Sequence, residues 1–168
     1  AFKELLSKAK HAGQSPKLTH YDPLTGLPIL QITLDRLRHE LDRNKRNQDI
    51  GAVMFLDVDD FRKTNERYGQ QAGDIVLRTL ASRIASIVRA ADTLSRIGGD
   101  EFIAIFSDQK DQEQVRLIAR KLLATVNNPI IFGNASIEVH VSIGIALYPT
   151  HSVCPQELIA LADKSSEL

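Results

Sequence analysis

Two groups of carboxylates stand where they could do chemistry. Asp57 closes the apolar run at residues 50–56 (IGAVMFL) and opens the cluster Asp57-Val58-Asp59-Asp60. Asp100-Glu101 directly follows the double glycine Gly98-Gly99. Strand ends and hairpin tips are where a rigid scaffold presents groups to solvent. Crowded carboxylates repel one another, so they need a cation or a proton to be tolerated. A hard divalent cation, Mg²⁺ (or Mn²⁺), takes oxygen ligands and is commonly held by one or two carboxylates plus substrate phosphates. Taken singly, each acid reads as the end of a strand or the solvated tip of a turn; taken together, they read as a metal site. Covalent chemistry finds no support. Cys154 has no flanking histidine or asparagine pattern, and the five histidines form no zinc-type spacing. No G-x-x-x-x-G-K-[ST] loop is present, so a nucleotide would be held by another route.

The elements around these acids follow from periodicity. Leu30, Leu34, Leu37 and Leu41 recur at helical spacing and predict one buried stripe. The run at 50–56 lacks polar alternation, as a strand covered on both faces does, and is expected at the centre of a sheet. Val76, Leu80, Ile84 and Ile87 predict a helix over 72–88. Residues 93–106 read as strand, turn, strand, with Gly98-Gly99 expected to supply the positive φ of a tight hairpin. If that hairpin lies beside the central strand, Asp57 and Asp100 converge. Val115, Ile118, Leu122 and Val126 predict another helix. Residues 130–132 and 137–147 form a strand pair around Gly133-Asn134, and a last helix starts near Pro155. The order predicts an α/β (α+β) sandwich with a mixed, mainly antiparallel five-stranded sheet flanked by helices. Residues 1–17 form a lead-in, read equally as a frayed terminus or as the end of a connecting helix; residues 18–168 form the domain.

Composition narrows the class. The 168 residues suit one domain, and 43% hydrophobic with 25% charged residues is globular. Lys and Arg number 21 against 21 Asp and Glu, so the formal charge is zero. That argues against nucleic acid or an anionic membrane as partner. One cysteine fits a reducing compartment, and no apolar run approaches a membrane span, so a cytoplasmic location is expected.

Residues 96–102 (RIGGDEF) contain the GGDEF signature, and the chain resembles the diguanylate cyclase domain family. DPLTGLP (22–28), FLDVDDFRKTNERYG (55–69), AGD (72–74) and VSIGIALYP (141–149) follow in the family's order. The resemblance covers roughly residues 18–163. It implies a fold related to nucleotide-cyclase and polymerase palm domains. The implied activity is condensation of two GTP into cyclic di-GMP and two pyrophosphates, one GTP per subunit of a two-fold homodimer. By the same resemblance, Asp57, the Val58 carbonyl and Asp100 would bind metal. Asp100 would also be the general base, assisted by Glu101. Asn65 and Asp74 match guanine-binding positions, Phe61 and Arg62 the phosphate cradle, and Gly98 and Gly99 a close backbone approach to the nucleotide. Arg89-x-x-Asp92 matches the product-inhibition site for cyclic di-GMP, completed by Arg116 and Arg120 on the next helix, with Arg120 the better match.

The sequence departs from the family in three places. Ile29-Leu30 replaces the usual Asn-Arg, which predicts a local packing change. Gln70 replaces a usual histidine near the nucleotide. The family's last helix continues into an A-L-Y-x-A-K-x-x-G-R-N-like stretch, where this sequence ends at Leu168. The domain is therefore expected to lack basic residues that hold GTP phosphates. The resemblance also implies a larger bacterial signalling protein, with an upstream sensory module and a downstream EAL phosphodiesterase domain. The rival reading is a non-catalytic regulatory domain that binds GTP or cyclic di-GMP. A template-directed polymerase palm is disfavoured by neutral charge and small size.

Overall fold

The computed structural model describes residues 20–165; the lead-in at 1–17 lies outside them. The elements run α1 (Leu30–Asn44), β1 (Ile50–Val58), α2 (Phe61–Tyr68), α3 (Gln70–Ala85), β2 (Thr93–Arg96), β3 (Glu101–Gln109), α4 (Gln112–Val126), β4 (Ile130–Phe132), β5 (Ala135–Ile137), β6 (Val141–Tyr148) and α5 (Pro155–Lys164). Four strands form an antiparallel sheet in the order β2-β3-β1-β6.

Strand β1 is central, as its sequence predicts, and its alternate residues feed two cores. Ala52, Met54, Leu56 and Val58 join Phe102, Ala104 and Phe106 under α3 and α4. Val53 and Phe55 face the other way, joining Ile103 and Ile105 beneath α1 and α5. The leucine stripe of α1, Leu30, Leu34, Leu37 and Leu41, is buried in that second core. Two close approaches seat the layers. The Tyr148 ring lies against Gly51, where an added Cβ would sit 1.9 Å from Cζ. The last turn of α5 lies on Gly144, where a Cβ would meet the Ala162 carbonyl oxygen at 1.7 Å.

Four expectations are corrected, and one helix is added. The sheet has four strands rather than five, because β4 and β5 form a separate ribbon turning at Gly133 (φ 59°). Residues 138–140 separate that ribbon from β6, so the stretch 137–147 is not one strand. Residues 61–68 are helical although they show no apolar stripe: α2 contains no buried residue. It ends at Gly69 (φ 93°), from which α3 starts, and α3 stops at Ala85 rather than at residue 88. Lastly, Gly98 and Gly99 are not among the positive-φ glycines. The connection spans 97–100, and Ile97 N–H donates to the Glu101 carbonyl at 3.0 Å. A four-residue loop does not need the dihedrals of a two-residue hairpin.

Candidate functional site

Pairing of β1 with β3 assembles the acidic site. Asp57 stands directly opposite Glu101 in the register, and Val58 N–H donates to the Asp100 carbonyl at 3.1 Å. Opposed residues of an antiparallel pair point to the same face. One carboxylate oxygen each from Asp57, Asp100 and Glu101 lies within 4.8 Å of the others. Protein crowding pushes the Asp57 carboxyl up to about 6, with the Asp100 charge next in effect. Burial, then repulsion from Asp57 and Asp100, raises Glu101 to about 7. Asp163, at the end of α5, adds to both shifts. Three oxygen donors held this close, at an electrostatic cost that a divalent cation would remove, fit a hard cation.

The flank of this site is built by α2 and α3. Asn65 Oδ1 is buried without a hydrogen-bond partner. It occupies the space in front of Gly73, where a Cβ would stand 1.8 Å from that oxygen. An orphaned buried acceptor of this kind has a place for a donor that the protein itself does not supply. Asp74, half-buried, follows in the first turns of α3, and Phe61 packs against the core from the start of α2. Arg62 is exposed and pairs with Glu66 at 3.3 Å. Gly99 faces open space, with nothing within 4 Å of an added Cβ.

A second constellation lies at the outer edge of the sheet. Arg89 forks onto Asp92, with Nε to Oδ2 and Nη2 to Oδ1 each at 2.9 Å. Nη2 also donates to the Ser107 carbonyl at 2.7 Å, and the Asp92 side chain is fully buried. Beside them opens a cleft of about 500 Å³ lined by Arg36, His39, Glu40, Arg43, Asp92 and Ser107. Arg116 turns elsewhere: it pairs with Glu113 at 3.0 Å and lines a smaller cleft with Ile145, Leu147 and His151. Arg120 is exposed on the outer side of α4.

Several of these residues carry no sequence signal. Gly73 belongs to a quoted motif, yet its role as the seat of Asn65 shows only once α2 folds against α3. Asp163 lies 62 residues beyond Glu101 and reaches the site because α5 crosses back over β6. Arg36, His39 and Arg43 look like the solvated face of an amphipathic helix until the β2 edge is placed beside them.

Comparison with known proteins gives consistent matches in sequence and fold. The family model described as diguanylate cyclase, GGDEF domain, matches residues 19–167. The bifunctional diguanylate cyclase/cyclic di-GMP phosphodiesterase MucR of Pseudomonas aeruginosa is 35% identical over 147 residues, 88% of this chain and 21% of that protein. The diguanylate cyclase TpbB of the same species is 37% identical over 146 residues, 86% of this chain and 33% of that protein. The chain thus spans a third or less of the length of these relatives. A sensory box/GGDEF family protein from Caulobacter crescentus CB15 superposes with a TM-score of 0.84 at 32% identity, covering 88% of this chain and 96% of that one. No helix among the described residues is long and apolar enough to cross a membrane.

Proposed function

The chain belongs to the diguanylate cyclase GGDEF domain family, and from that premise we propose that it condenses two GTP into cyclic di-GMP and two pyrophosphates. The observation that carries the reading is the convergence of Asp57, Asp100 and Glu101 across the β1–β3 pair. In each half-reaction a ribose 3′-oxygen bonds to the α-phosphorus of the other GTP as the bond to pyrophosphate breaks. The Asp100 carboxylate takes the hydroxyl proton, and Glu101 beside it assists. Asp57, Asp100 and the Val58 carbonyl would hold Mg²⁺ or Mn²⁺, which when bound neutralises phosphate charge and favours the attacking alkoxide.

Asn65 and Asp74 would hold the guanine. An amide both donates and accepts, and a carboxylate accepts from N1–H and the exocyclic amine. The orphaned Asn65 Oδ1 supports that role. Phe61 and Arg62 would cradle the phosphates, and the open space before Gly99 supports a close approach of the protein backbone at Gly98 and Gly99 to the nucleotide. Two GTP held by two subunits in two-fold opposition give the ring its symmetry, so the catalytic form is a homodimer. At the sheet edge, Arg89, Asp92 and the adjacent cleft, with Arg120, would bind cyclic di-GMP and inhibit; an arginine fork suits phosphate or guanine acceptors. Arg116, held at Glu113, would need to swing away to take part. The greater length of the relatives supports a larger signalling protein, and the phosphodiesterase half of MucR supports an EAL domain downstream; a sensory module upstream and a cytoplasmic setting complete this reading.

The test is turnover: concentrated protein with GTP and Mg²⁺, assayed for cyclic di-GMP and pyrophosphate beside Asp100→Ala. Product that disappears in the variant supports the cyclase. Cyclic di-GMP binding without turnover, in the full-length protein as well, would replace it with a regulatory receptor domain.

A further inference from the structure

Asp22 and Arg96 lie 74 residues apart and take no part in the roles assigned above. Arg96 ends β2, immediately before the loop at 97–100. Its guanidinium is shared between two segments. Nη1 donates to both carboxylate oxygens of Asp22, at 2.9 and 3.1 Å. Nη2 donates to the Gly99 carbonyl at 2.7 Å, while Nε reaches the carbonyls of Gly98 and Gly99 at 3.1 and 3.2 Å. Both side chains are only 15% exposed.

The acid is itself held in place. Asp22 Oδ2 accepts from Thr25 N–H at 2.8 Å and from Thr25 Oγ1 at 2.6 Å. Gly26, at φ 75°, donates its N–H to the Asp22 carbonyl at 2.7 Å. Burial opposes ionisation, but the bonds from Thr25 and Arg96 outweigh it and hold the carboxyl below its ordinary range. The far side of the turn is bound as well, because Arg96 N–H donates to the Pro28 carbonyl at 3.1 Å.

The loop is therefore anchored at three points. Ile97 N–H meets the Glu101 carbonyl, Val58 N–H meets the Asp100 carbonyl, and the guanidinium fixes the two glycine carbonyls between them. Without the guanidinium, two consecutive glycines have the widest conformational freedom of any dipeptide. We propose that Asp22 and Arg96 are positioning residues whose ion pair holds the Gly98–Gly99 backbone so that Asp100 meets Asp57. The consequence for catalysis rests on the cyclase reading; the positioning itself does not. The DPLTGLP turn is thus a strut for the acidic loop, and its aspartate acts only through Arg96.

Arg96→Lys separates positioning from mere attachment of the turn. A lysine can pair with Asp22 as a point charge but cannot also fork onto two carbonyls. The expected result is amide exchange about tenfold faster at residues 97–101, with the amides of Thr25 and Gly26 unchanged. Mn²⁺ alone, titrated by electron paramagnetic resonance, should bind about tenfold more weakly to the variant. Unchanged exchange at 97–101 overturns the proposal, as does loosening spread evenly over the turn and the core. Asp22→Asn, approached from the other side, should also speed exchange at 97–101 while the core stays protected, and serves if Arg96→Lys does not fold. Thr25 loosens as well in that variant, because its N–H bonds the replaced carboxylate. If wild-type protein binds no Mn²⁺, the metal reading fails, and exchange at 97–101 still decides the positioning pair.

Discussion

Replacing Asp57 with asparagine should stabilise the metal-free protein at pH 8 and leave it nearly unchanged at pH 3.5. Two like charges 4.8 Å apart repel by about 0.9 kcal/mol in water and about 3.5 kcal/mol at an effective dielectric of 20. Asp57 is an exposed residue, so screening favours the lower figure, and its two carboxylate neighbours together give about 1–2 kcal/mol. The pH window follows from the raised values. Asp57 goes from 3.8 to about 6 and Glu101 from 4.5 to about 7, so the native state holds its protons more tightly than the unfolded chain. Stability from this cluster is full below about pH 4, falls between about pH 4 and the raised values near 6 and 7, and is level above. At pH 3.5 the Asp57 carboxyl is mostly protonated in the folded and unfolded states alike, and the amide mimics it. The assay is thermal unfolding of wild type and Asp57→Asn at both pH values, in chelator and then with Mg²⁺. The variant should gain about 2–8 °C over wild type at pH 8 in chelator. Mg²⁺ at about 100 times its Kd should raise wild-type stability by about 2.7 kcal/mol and the variant's by much less. A variant equally destabilised at both pH values, or a wild type indifferent to Mg²⁺, would refute the reasoning.

Gly73→Ala should separate nucleotide binding from stability. The new Cβ displaces the flexible Asn65 side chain, whose oxygen bonds nothing, and the helix gains about 1 kcal/mol of propensity. Unfolding should therefore shift little while GTP affinity, measured by calorimetry, drops about tenfold or more with the loss of one base contact. Gly144→Ala should behave in the opposite way, because its Cβ meets the Ala162 backbone carbonyl, which cannot swing aside. A loss of about 1–3 kcal/mol is expected by denaturant titration, since α5 must lift from the sheet. Arg89→Ala should leave initial cyclase rates intact and remove inhibition by added cyclic di-GMP, which initial-rate curves at rising product would show.

Much of the fold was legible because burial writes itself into sequence. The run at 50–56 is apolar throughout because β1 is covered on both faces, and the leucines of α1 recur at the period of the one face it buries. Helix α2 left no such trace, since it buries no residue and is bounded instead by the backbone turn at Gly69. The strand count was missed for a related reason: alternation marks a strand but does not say which strand it pairs with, and β4 and β5 pair only with each other.

The same division runs through the candidate site. The sequence by itself determined the family, the acidic pair of segments, and the two-glycine loop between strands, because these depend on residue types at short range. Only the tertiary structure decided what lies across space. It set Asp57 opposite Glu101, put Gly73 under Asn65, brought Asp163 back over the sheet and turned Arg116 toward Glu113. It also joined Asp22 to Arg96 across 74 residues. Side-chain periodicity reports burial one element at a time, whereas register and packing between elements fix which polar groups meet.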